Sequence, residues 1–236
     1  MKTKLVIMAF LALTAFVATG VAAPAIIDFA SGTGTDTGTF TYAGGATPLM
    51  GMNILIGDVT GISTPSNNGV TDMITSGLLS FTTGDFVSLV GGVYTFGAGG
   101  SITITGTGPG CLTVGGCGGN TPNTTSGPTL LSGADVSATY NSNGTLNLAI
   151  INGTDTKNPN LVQFFGLPAS IPGWDFSGTI HATGFTPVGM MGGFTANSSH
   201  STDIQNTPVP EPASIILLGS LLVGITTLLH RRRAKA

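Results

Sequence analysis

The chain has 236 residues, 37 of them Gly, and only 7% are charged, against about 25% in ordinary soluble proteins. Six of the seven basic residues sit in the two terminal segments, which leaves residues 26–207 with nine Asp and one basic residue, Lys157. So acidic a body makes nucleic acid and anionic membrane surfaces poor partners, and its reliance on Ser, Thr and Asn for solubility argues against a cytosolic enzyme.

At the N-terminus, Lys2 and Lys4 precede an apolar run, residues 5–17, and then the small residues Ala18, Gly20, Ala22, Ala23 and Ala25. A charged start, a short apolar stretch and a small-residue cleavage region predict a Sec signal peptide over residues 1–25. Pro24 disfavours cleavage after Ala23, so Ala22 and Ala25 are the expected sites.

Residues 26–196 read as one all-β body. Short runs rich in Val, Ile, Thr, Phe and Tyr are separated by Gly, Asn, Asp and Pro. The expected strands are 25–30, 38–42, 53–59, 77–82, 86–90, 93–96, 101–105, 134–140, 145–151, 161–167, 176–183 and 192–196. A short helix over 49–56 is a competing reading that Gly51 weakens. The clearest local signal is 134–151. Val136, Ala138 and Tyr140 alternate with polar residues, Asn143-Gly144 turns the chain, and Leu146, Leu148 and Ile150 alternate again. That pattern is a hairpin with one buried face. Many short strands with such turns predict an antiparallel β-sandwich or jelly-roll-like body, with a solenoid as the alternative.

The long Gly-rich insert 106–128 carries the only two cysteines, Cys111 and Cys117. An even count in an oxidising compartment predicts a disulfide between them. No metal or other cofactor is expected. The two thiols lack a neighbouring His, and His181 and His200 are distant in sequence. No motif of nucleophilic, zinc-dependent or phosphate-binding catalysis is present, and 26–207 contains no Glu. The body therefore reads as non-enzymatic. Asp58, Asp85 and Asp135, each beside or near Gly, are expected to serve turns. Trp174, after Pro172-Gly173, is either a core residue or an exposed sugar platform, with the core reading preferred. Residues 197–208, polar and without period, predict a flexible stalk.

The C-terminus, residues 209–236, has three parts in fixed order. Pro210-Glu211-Pro212 comes first, and its two prolines favour extended backbone. An uncharged apolar run over 213–229 follows, long enough as a helix to cross a bilayer at the short end of the range. The basic cluster Arg231, Arg232, Arg233 and Lys235 closes the chain and would remain cytoplasmic by the positive-inside rule. This arrangement resembles the PEP-CTERM sorting domain of Gram-negative bacteria. The resemblance covers the last 28 residues. It implies recognition by an exosortase, a membrane-embedded transpeptidase-like enzyme, after export through the Sec and signal-peptidase machinery. It further implies a transient stay in the inner membrane, removal of the tail, and delivery to the cell surface or extracellular space. The expected function is a structural or adhesive protein of an exopolysaccharide matrix, with extracellular polysaccharide as a partner. The alternatives are a secreted carbohydrate-binding or hydrolytic β-sandwich, and a periplasmic protein that stays anchored in the inner membrane.

Overall fold

The computed structural model describes residues 24–31, 38–107, 129–169, 171, 173–189 and 192–208. Eleven strands and one short helix follow in order: β1 (Ile26–Ala30), β2 (Thr39–Tyr42), β3 (Pro48–Ile62), β4 (Thr71–Val90), β5 (Val93–Phe96), β6 (Ser101–Thr107), β7 (Thr129–Ala134), β8 (Val136–Asn141), β9 (Thr145–Lys157), α1 (Pro159–Phe164), β10 (Trp174–Val188) and β11 (Gly193–Pro208). The fold is all-β and the ladders between these strands are antiparallel, as the sequence predicts. These strands form one eleven-stranded sheet that closes on itself.

Closure follows from the pairings. The long strands β3, β4, β9, β10 and β11 run from pole to pole. At one pole β1 bridges β3 and β11, while β6 and β7 bridge β4 and β9. At the other pole β2 bridges β3 and β11, while β5 and β8 bridge β4 and β9. Each described strand thus has a ladder partner on both sides, and none presents the unpaired edge that invites aggregation.

Alternation places one face of each strand inside. At the β2–β5–β8 pole the interior is aromatic. Tyr140 stacks on Phe194 with centroids 4.7 Å apart, Phe194 meets Tyr94 edge-on at 5.0 Å, and Tyr42 meets Phe96 edge-on at 5.1 Å. Aliphatic residues fill the middle, among them Leu79, Ile104, Leu146 and Ile180. At the β1–β6–β7 pole, α1 and Phe165 pack into the core. The helix end is held to the β3–β4 loop, where Ser66 N–H donates to Phe165 O at 3.0 Å and Asn67 Nδ2 donates to Phe164 O at 2.7 Å.

Several elements differ from the sequence reading. The 49–56 stretch is part of β3 and not a helix. The runs 77–82 and 86–90 are one strand, because Gly84 N–H donates to Gly97 O and continues the pairing between them. The run 161–167 is not a strand. Asn158 caps α1 by accepting from Asn160 N–H, Pro159 supplies its first turn, and Leu161, Val162 and Phe165 bury one side. β7 has no counterpart in the predicted strands. The predicted stalk, 197–208, is the second half of β11, and its Thr202, Ile204 and Asn206 are buried. Its inward face is partly polar, which removes the apolar alternation that marks a strand.

Candidate functional site

The interior of the β1–β6–β7 pole holds a polar cluster. Asp155 and Lys157 are two apart on β9 and therefore share its inward face. Lys157 Nζ donates to both carboxylate oxygens of Asp155, at 3.0 and 2.9 Å, and to Asn206 Oδ1 on β11 at 3.0 Å. It also lies 4.3 Å from the centre of the Trp174 ring on β10, a cation–π contact. Both charged side chains are 0% exposed. Asn206 Nδ2 donates to Ile27 O at 3.1 Å and Ile204 O at 3.4 Å, so its amide is held from both ends.

Two backbone features make room for this cluster. Six residues of β9, from Ile150 to Asp155, face only three of β10, from Phe176 to Trp174, and this irregularity resets which side chains follow inward. On β7, Gly133 lies where a Cβ would come within 2.9 Å of the Asp155 Cβ. Burial dominates the electrostatics. It lowers the Lys157 amine to about 8, against the pull of Asp155, and raises the Asp155 carboxyl, against the pull of Lys157. Both shifts favour the neutral forms, so the proton between them moves more easily than in an exposed ion pair.

The outer wall carries a second polar feature. Across β8, β9, β10 and β11, Thr139, Asn147, Thr179 and Asp203 are successive ladder partners. Thr179 Oγ1 donates to Asn147 Oδ1 at 3.2 Å, and Asn147 Nδ2 donates to Thr139 Oγ1 at 3.5 Å. Two shallow grooves of about 250 and 200 Å³ share Asn147 and Leu148, and Ser177, Thr179, Asp203, Gln205, Ser137 and Thr139 also line them. Next to Asp203 on the same wall, Asp28 is pushed up to about 6, first by burial and then by the Asp203 carboxylate. Among the described residues no group of three His, Cys, Asp or Glu is arranged to hold a metal ion.

The sequence-predicted residues fall as follows. Trp174 is a core residue, 1% exposed, so it offers no sugar platform. Asp135 does serve a bend, with φ 56° between β7 and β8, but Asp58 and Asp85 lie inside β3 and β4 and not in turns. His181 is on the exposed face of β10, opposite Thr145. The hairpin on Asn143-Gly144 forms, with Gly144 at φ 101°. Cys111 and Cys117, the motif Pro210-Glu211-Pro212 and the cluster Arg231, Arg232, Arg233 and Lys235 lie outside the described residues. The buried Lys157 cluster was not anticipated. Its signal was an Asp-x-Lys pair in a chain whose body has no other basic residue.

No family model matches the chain, and neither the curated proteins nor the solved structures give a significant match.

Proposed function

We propose that this chain is an exported structural or adhesive protein of the cell surface or extracellular matrix, without enzymatic activity, whose tail an exosortase reads and removes. One observation carries the reading: Pro210-Glu211-Pro212, an uncharged apolar run over 213–229 and the basic cluster Arg231–Arg233 with Lys235 occur together and in that order. The fold is compatible with it. Ile27 pairs with Asn206, so β1 begins and β11 ends at one pole, and the segments beyond them join the domain side by side. A closed sheet also suits a protein that stays folded outside the cell without chaperones. In the native host, cell fractionation with intact-mass measurement should find a product at the surface or in the medium that lacks residues 215–236. A full-length chain persisting in the inner membrane would overturn the proposal, as would unchanged release of Glu211→Ala.

A second reading, carbohydrate binding, is favoured by the adjoining grooves lined with hydroxyl, amide and carboxylate side chains. Calorimetric titration with the host's exopolysaccharide tests it. Binding that weakens in Thr179→Ala and Asn147→Ala supports this reading, and no heat of binding removes it.

A further inference from the structure

We propose that Lys157 and Asn206 become joined by an intramolecular isopeptide bond, which locks β9 to β11 inside the folded domain. This inference rests on the buried side chains alone and is independent of the export reading. The three parts such a reaction needs are already in place. Lys157 Nζ is the nucleophile, Asn206 Cγ is the electrophile one bond beyond the Oδ1 that Nζ contacts at 3.0 Å, and Asp155 is the proton carrier at 2.9 Å from Nζ. The cluster is sealed from water, and Trp174 covers the amine.

The chemistry balances without an oxidant or co-reactant. Asp155 takes a proton from the Lys157 ammonium, and the free amine attacks Asn206 Cγ. The Nζ–Cγ bond forms and the Cγ–Nδ2 bond breaks. Of the three protons on the ammonium, one stays on the new secondary amide. The other two, carried by way of Asp155, leave with Nδ2 as ammonium, and Asp155 ends as the carboxylate it began as. Burial supports the first step, since it brings the amine and the carboxyl toward the same proton affinity. Fixed orientation supports the second, because reactants held near contact gain what in solution would require very high concentration. The hydrogen bonds from Nδ2 to Ile27 O and Ile204 O hold the Asn206 amide while the long Lys157 stem swings Nζ from Oδ1 toward Cγ.

The bond would close a loop between residues 49 apart in sequence and restrict the unfolded chain as a disulfide does. It would not depend on redox conditions. It would also anchor the last strand two residues before its end at Pro208.

Trypsin and mass spectrometry on the full, denatured chain decide the matter. Lys157 is the only tryptic site between Lys4 and Arg231. In the bonded chain that site is blocked, so the body remains in one piece and is lighter than its sequence by one ammonia. Asn206→Ala is expected to restore both the full sequence mass and cleavage into two fragments. Complete cleavage of the wild-type chain at Lys157 would overturn the proposal, including the case where an ammonia is lost elsewhere, for example at an Asn-Gly step. The wild-type result does not depend on whether any variant folds.

Discussion

Asp28 shows how one carboxyl reports on the outer wall. Its folded pKa of about 6 exceeds the ordinary value of 3.8, so between those values the folded state binds more protons than the unfolded state. By linkage, stability falls as pH rises through roughly 4 to 6. Because Asp28 is half exposed, screening reduces the effect to about 1 kcal/mol. Asp28→Asn should therefore raise the melting temperature at pH 7 and leave it unchanged at pH 3, as thermal denaturation followed by circular dichroism would show. Inside the same pole, Asp155→Ala would strand the Lys157 ammonium beside a neutral amide and a ring. A buried pair broken on one side costs about 3–5 kcal/mol. Denaturant unfolding should show at least that loss. None of this was legible from spacing alone. An Asp-x-Lys pair on a strand looks the same whether its face turns inward or outward, and only the irregularity between Ile150 and Asp155 decides that here.

For the elements, legibility followed the contrast between the two faces of each strand. The 134–151 hairpin was readable because Val136, Ala138, Tyr140, Leu146, Leu148 and Ile150 are all buried and their neighbours on the strand are not as deeply so. The second half of β11 was not, because Thr202 and Asn206 take inward positions. β4 was split in the reading by Gly84, yet a Cβ there would press on the Ala98 carbonyl, so the glycine permits close strand approach instead of ending the strand. Gly77 is similar, since its Cβ would run into the Ile56 carbonyl on β3. Backbone cannot give way as a side chain can. Gly77→Ala should cost about 1–3 kcal/mol and speed amide hydrogen exchange along the β3–β4 ladder. In α1 the cap at Asn158-Pro159 was missed, and 161–167 was expected to be a strand. Asn158→Ala removes the acceptor for Asn160 N–H and should cost about 1 kcal/mol in denaturant unfolding.

At the scale of the whole molecule, the structure moves the folded boundary. From sequence alone, the twelve residues 197–208 read as a stalk ahead of Pro210-Glu211-Pro212, but β11 runs to Pro208 and pairs there with Trp174. Only Val209 then separates the last paired residue from Pro210. At ~3.3–3.6 Å per extended residue, an enzyme acting at Pro210-Glu211-Pro212 would have to work within a few ångströms of the closed sheet. With β11 clamped between β1, β2 and β10 and held at Asn206 by Lys157, unpeeling the strand to admit the enzyme would break ladder bonds on both sides. If an exosortase removes the tail as proposed, access at Pro210-Glu211-Pro212 should therefore limit that removal. Inserting about ten Gly/Ser residues between Pro208 and Val209, a length that spans roughly 15–20 Å as a flexible coil, should speed tail removal several-fold in a pulse-chase experiment in the native host. Destabilising the domain through Ile204→Ala should speed it as well, because both changes free the same end of β11. An unchanged rate in both variants would place tail removal before the sheet closes, and the order of events would then be cleavage first and folding second.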